Sequence, residues 1–196
     1  MTTEIHQSFM VNKVTIKKKL LKIIGGEFRI YAEGDRLVLF AEQEGLKIKE
    51  VFHIYADENK SEELLEITTP HIIDFAASYI ITDKKTGAVV GAVKREGIRS
   101  IVMDEWTLMD GTGNIIGKLK EESVFGAIMS RLIKLIPQRY VIFGMQAQNK
   151  IVEIARHFDP FVLKFDMSIV DVNPGIDRRI LFGTLILLTA IEGREK

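Results

Sequence analysis

The sequence predicts a mainly β fold, a closed antiparallel barrel of about twelve strands around a hydrophobic C-terminal helix, and three observations carry that expectation. After the turn residues Pro174 and Gly175, positions 180–191 are apolar apart from Gly183, Thr184 and Thr189, so a helix there has no polar face. Such a helix must be enclosed by protein or lipid, and at ~1.5 Å per residue it spans roughly 18 Å against a hydrocarbon core of about 30 Å. Enclosure by protein follows. Second, the segments between residues 8 and 168 are short, rich in Val, Ile, Phe, Tyr and Thr, and broken by Gly, Asp, Asn or Lys clusters, which is the rhythm of a meander. Third, so many strands are too many for a small open sheet, and closure removes the edges that would template aggregation.

Strands are expected near 10–17, 27–32, 36–42, 48–56, 64–69, 75–82, 87–94, 101–109, 114–120, 138–143, 150–156 and 161–168. Gly25-Gly26, Glu33-Gly34-Asp35, Glu44-Gly45, Lys84-Lys85-Thr86-Gly87 and Asp110-Gly111-Thr112-Gly113-Asn114 supply turn residues that tolerate positive φ. Residues 57–66, DENKSEELLE, read as a solvated acidic loop entering a strand. One amphipathic helix over 123–136 interrupts the strands. Phe125, Ile128, Met129, Leu132, Ile133 and Ile136 fall at helical spacing, Ser123 stands at the cap position and Pro137 at the stop. It either packs on the outside or across one end of the barrel, or offers its apolar face to a membrane or a partner. No internal repeat beyond the hairpins themselves is visible. The final helix is expected over 176–192, and its eight large apolar side chains contribute roughly 12–24 kcal/mol on burial.

A chain of 196 residues with 46% hydrophobic side chains fits one domain over 1–196. Lys plus Arg number 27 and Asp plus Glu 27, so no global field draws in nucleic acid, and any anionic partner must meet a local patch. Cysteine is absent, which excludes disulfides, thiolate metal sites, a cysteine nucleophile and S-palmitoylation. The start, MTTEIHQSFMVNK, lacks the basic and apolar regions of a secretory signal, and a cytoplasmic location is expected, peripheral to a membrane if lipid is the ligand.

The stretch YIITDKKTGAVVGAVKREGIRSIVMDEWTLMDGTGNIIGKLKEES carries Tyr79, Asp83, Gly87, Trp106, Asp110, Gly113 and Gly117 in the order strand, D-x-x-T-G turn, strand, W-x-x-x-D-x-x-G and strand. It resembles the paired-hairpin core of the tubby C-terminal-like superfamily, in its scramblase-like and LURP-one-related branch, and DRRILFGTLILLTAIEG resembles the helix that closes those chains. The resemblance runs from about residue 8 onwards and implies a twelve-stranded barrel threaded by that helix, with no agreed catalytic site. Tubby-like members are associated with phosphoinositide head groups through basic side chains, and scramblase-like members with lipid movement and calcium. The sequence departs from the scramblase pattern, with no proline-rich amino-terminal region and no cysteine-rich acylation cluster. Its acidic residues before the final helix, Asp166, Asp171 and Asp177, do not form a calcium run.

Two tempting motifs fail on detail. In GNIIGK, residues 113–118, Gly113 and Gly117 are too close for a P-loop, Leu119 replaces the magnesium-binding hydroxyl, and strands flank it, so a hairpin turn is expected. Asp110, Thr112, Asn114 and Glu121 fall at calcium-loop positions, but Ile115 stands where glycine is required and no helices flank it. His6, His53, His71 and His157 are scattered, with no metal-ligand spacing and no nucleophile elbow or dinucleotide fingerprint, so no metal, no cofactor and no enzyme are expected.

The basic groups are the remaining candidates. Lys13, Lys17, Lys18, Lys19 and Lys22 crowd the first strand, and Lys94, Arg95 and Arg99 surround the turn at Gly97; all of these but Lys13 are the candidate lipid-binding residues. Period-two alternation sends Lys17 and Lys19 to one face and Lys18 to the other. Near an anionic membrane each contributes about 1 kcal/mol, so four reach only about millimolar affinity and need a head-group pocket or an apolar insertion besides. Arg178 and Arg179 oppose the positive end of the helix dipole and must reach acidic side chains such as Asp177 or Glu192, solvent, or an anion held at the barrel mouth. The expected function is a non-enzymatic binding or scaffold protein for an anionic lipid head group or an apolar small ligand. A phospholipid scramblase-like, lipid-translocating protein and a structural protein-interaction module are the alternatives.

Overall fold

The computed structural model describes residues 4–19, 26–44, 50–69, 78–96, 105–122, 138–145, 149–171 and 175–194. Twelve antiparallel strands close into one barrel: β1 (Lys13–Lys19), β2 (Gly26–Ala32), β3 (Arg36–Gln43), β4 (Val51–Tyr55), β5 (Glu63–Thr68), β6 (Ser78–Asp83), β7 (Val89–Arg95), β8 (Glu105–Asp110), β9 (Ile115–Glu121), β10 (Arg139–Gly144), β11 (Lys150–His157) and β12 (Val162–Ile169). Each strand pairs with its sequence neighbours, and β1 pairs with β12 to seal the barrel. The expected strands are all found. The first is displaced from 10–17 because Met10 closes a 3-10 turn over Gln7–Phe9, its N–H bonding the Gln7 carbonyl, and because the lysine run stays in the sheet to Lys19 opposite Val162. The helix expected over 123–136 lies outside the described residues.

The helix α1 (Arg178–Glu192) runs through the lumen, and every residue from Ile180 to Glu192 is buried. Asp177 caps it, its carboxylate accepting the Arg179 N–H at 2.9 Å. The two threonines are accommodated without a polar face, since Thr184 Oγ1 donates to the Ile180 carbonyl and Thr189 Oγ1 to that of Leu185, both at 2.8 Å. Around them the inner wall supplies Ile16, Phe28, Ile54, Ile67, Ile81, Leu108, Leu119 and Phe165, all fully buried. Phe9, from the 3-10 turn, plugs the end where α1 enters and meets Phe182 edge-on at 5.5 Å.

The two barrel ends differ. At the entry end, where α1 begins, short turns join β2 to β3, β6 to β7 and β8 to β9. In each hairpin closing there, one extra residue bulges: Val38, Leu64, Val90, Ile116 and Ile151 have no cross-strand partner. The first four fall at equal intervals along the chain. The hairpin is therefore a repeated unit of constant length, a regularity that the sequence analysis does not find, because the bulge is marked only by an adjacent apolar pair such as Val38-Leu39 or Leu64-Leu65. Bulges bend a strand and increase its twist, which tightens closure. At the exit end, where α1 finishes, the odd-numbered strands terminate, and β11 and β12 are joined by the tip Phe158, Asp159, Pro160 and Phe161.

Candidate functional site

The arginines at the entry end are held by protein groups. Arg178 donates to Asn12 Oδ1 at 2.7 Å and to the carbonyls of Val11 and Phe9 at 3.3 and 3.4 Å. Arg179 grips Asp177 through Nη2 at 2.6 Å and Asp83 through Nη1 at 2.6 Å, and the Arg179 and Asp83 side chains are each only 12% exposed. Asp177 is thus the partner expected from the sequence, whereas Glu192 sits at the opposite end of α1. Asp83 was not foreseen. It also accepts from Thr86 N and Oγ1, at 2.8 and 2.9 Å, so the D-x-x-T-G turn and the helix start share one carboxylate. Burial opposes ionisation of Asp83, but the Thr86 hydrogen bonds and the Arg179 guanidinium outweigh it and hold the carboxyl below its usual range. A cleft of roughly 310 Å³ opens beside this ion pair, bordered by Glu4, His6, Glu62, Asp83, Lys85 and Arg179.

The basic clusters lie at the other end. Because β1 and β7 both run toward the exit, Lys18 and Lys19 reach the same rim as Lys94 and Arg95, on opposite sides of the barrel, whereas the Lys17 ammonium turns back toward Asp35 in the β2–β3 turn at the entry end. Lys22 and Arg99 lie outside the described residues. Alternation separates Lys17 and Lys19 from Lys18 as expected, the first two facing outward and Lys18 in, and Lys94 also faces outward. Arg95 shares the inner face with its cross-strand partner, the buried Trp106. Outside, Lys17 bonds Asp35 at 3.4 Å and lies over the Tyr31 ring, and Lys94 lies 3.7 Å from Glu96.

Inside this rim, charges gather around the last turn of α1. Glu192 accepts from Tyr140 at 2.9 Å and from Arg156 at 3.2 Å. Glu50 accepts from Tyr79 at 2.7 Å and pairs with Arg194. Burial, and then the bond to Glu50, raise the Tyr79 phenol above its ordinary value. Lys18 is 7% exposed, and its ammonium stands over the Phe28 ring at 5.2 Å, beside Gly193. A Cβ on residue 193 would come within 2.9 Å of Lys18 Nζ, so glycine is what admits the cation to the negative end of the helix dipole. Burial, followed by the neighbouring Arg194 charge, lowers the Lys18 pKa, and Glu50 only partly offsets them. No ion pair or hydrogen bond to the Lys18 ammonium is found among the described residues.

The motif at residues 110–118 is a hairpin turn. Asp110 accepts the N–H groups of Thr112 and Asn114, each at 2.9 Å, and both their side chains. Those bonds hold its carboxyl down at about 2, led by the Thr112 hydroxyl. Asp166, Asp171 and Asp177 are engaged separately, with Thr15 and His157, Asn149, and Arg179. Pairing of β4 with β5 brings His53 against Glu63 and Glu66, a juxtaposition absent along the sequence. Lys84 already lies 3.8 and 3.2 Å from those two carboxylates, making the group a surface ion network. No family model matches the chain, and no curated protein matches it.

Proposed function

We propose that this is a non-catalytic binding protein whose barrel rim at the exit end contacts an anionic lipid surface. The observation that carries the reading is the delivery of both basic clusters to one rim by β1 and β7. Standing on opposite sides of the barrel, they are too far apart to share one head group, yet both reach a plane. The arginines at the entry end favour this choice of face, since their donors are taken by Asp83, Asp177 and the chain before β1. The helix fills the lumen, which supports a surface ligand over an apolar one inside. The resemblance to tubby C-terminal-like barrels, whose members are associated with phosphoinositide head groups, belongs to the same reading. No described helix is long and apolar enough to cross a membrane.

The test is co-sedimentation with phosphoinositide-containing and with neutral vesicles. Binding to the anionic vesicles is expected, falling steeply as the Debye length shortens from about 30 Å toward 8 Å with added salt. Lys19→Glu and Lys94→Glu, made separately, should each weaken it while leaving the melt unchanged, because both side chains point outward. Equal binding by both variants and the parent would remove the rim from consideration. Lipid exchange between leaflets would instead favour the translocating protein, and neither binding nor exchange the interaction module.

A further inference from the structure

Charge alone does not hold a neutral protein on a membrane, and the exit end carries an apolar element that the basic clusters do not explain. At the β11–β12 tip, Phe158 is 67% and Phe161 68% exposed, the two most exposed large hydrophobic side chains among the described residues. They project from a turn fixed by Asp159, whose carboxylate accepts the N–H of Phe161 at 2.8 Å and of Val162 at 2.9 Å, with Pro160 between. Those two bonds hold the Asp159 carboxylate against the backbone of the turn, still charged. Two rings held in water by a braced turn gain nothing for the fold, and phenylalanine side chains are stabilised by burial in the head-group and acyl boundary of a bilayer.

The wall beneath the tip supplies the matching charge. Lys19 pairs across the seam with Val162, the residue after Phe161, and Lys164 lies opposite Lys17 and His157. Lys19 and Lys164 have no ion-pair or hydrogen-bond partner among the described residues, whereas Lys17 is engaged by Asp35 and His157 by Asp166. We infer that the 158–161 tip is a membrane wedge: Phe158 and Phe161 enter the head-group and upper acyl layer of an anionic bilayer, while Lys19 and Lys164 meet lipid phosphates. The inference rests on the lipid-surface reading above and adds the inserted element, which fixes how the barrel is oriented. The wedge makes binding depend on apolar area as well as on salt.

The probe is a vesicle of phosphatidylcholine and phosphatidylserine, with pure phosphatidylcholine as control. Phe158→Ser with Phe161→Ser should cut partitioning onto the anionic vesicle by about tenfold or more with no change in melting, since neither ring packs in the core. Lys19→Glu with Lys164→Glu should weaken anionic binding and leave the control unaffected. A reporter, Phe161→Trp, should shift its emission to the blue on anionic vesicles and be quenched by lipids brominated near the head group, over a constant background from buried Trp106. Parent binding that the serine pair reproduces within about twofold, or a reporter that does not move, overturns the wedge while leaving the lipid-surface reading intact. A parent that binds no anionic vesicle overturns both. Conversion of a parent dimer to a monomer by the serine pair would assign the tip to a second copy and also overturn the wedge.

Discussion

At position 18, a lysine occupies a place on the inner wall that alternation gives to Ile16 and Val14 on the same strand. Its burial penalises the charged form, so the folded protein releases the proton at lower pH than the unfolded chain does. The folded pKa is lowered, and stability therefore rises with pH between that value and the unfolded 10.5. Lys18→Met keeps the length and removes the charge. It is expected to melt higher than the parent near neutrality, by about 1 kcal/mol, with the gap closing as pH climbs toward 10, which paired thermal melts across pH 7 to 10 will check. The carboxylates respond in the opposite sense. Asp83 and Asp110 are held below their unfolded values, so they support the fold above about pH 4 and lose that support as pH falls toward 2. A melting temperature that holds to about pH 5 and falls progressively between about pH 4 and 2 is expected. Removing one partner of the pair between Asp83 and Arg179, as in Asp83→Ala, leaves a nearly buried guanidinium short of an acceptor and should cost about 2–3 kcal/mol in denaturant titrations. The inward turn of Lys18 was legible from alternation, but the union of Arg179 with Asp83 was not, because the two lie 96 residues apart and no local pattern links them.

Among the elements, strands and the final helix were readable because their signals are local: turn residues at the joints, and a helix without a polar face. What escaped was the bulge in each hairpin at the entry end. An adjacent apolar pair within a strand looks like lapsed alternation, and only the pairing register reveals Val38, Leu64, Val90, Ile116 and Ile151 as extra residues. The partners across the exit rim escaped for a related reason, since Tyr79 with Glu50 and Tyr140 with Glu192 are products of closure. Where bulge and helix meet, the fit is tight. A Cβ on residue 91, next to the bulged Val90, would stand 2.4 Å from the Met109 carbonyl oxygen and 2.6 Å from Ile180 Cδ1. Backbone cannot yield as a side chain can, so Gly91→Ala is expected to cost about 3 kcal/mol by chemical denaturation. A loss under about 0.5 kcal/mol would show that the wall and α1 are less closely fitted than the geometry states.

For the molecule as a whole, α1 occupies the lumen, and the barrel depends on it. A chain ending at Asn173 keeps every strand and loses the helix that Ile16, Ile54, Ile81 and Leu108 face. It should aggregate or remain molten, with near-ultraviolet signal from Trp106 lost; a cooperative melt unchanged from the parent would contradict this. Supplying residues 174–196 as a separate peptide should restore part of that signal if the strands alone hold an approximate barrel. The seam adds a consequence in time. Thr15 on β1 bonds Asp166 on β12 at 2.7 Å across 151 residues of chain, and α1 follows both. During synthesis β1 waits for its partner until the 151 residues that separate Thr15 from Asp166 have been made. The helix follows all twelve strands, so until it has been made they carry an apolar inner face with nothing to cover it, a state open to aggregation.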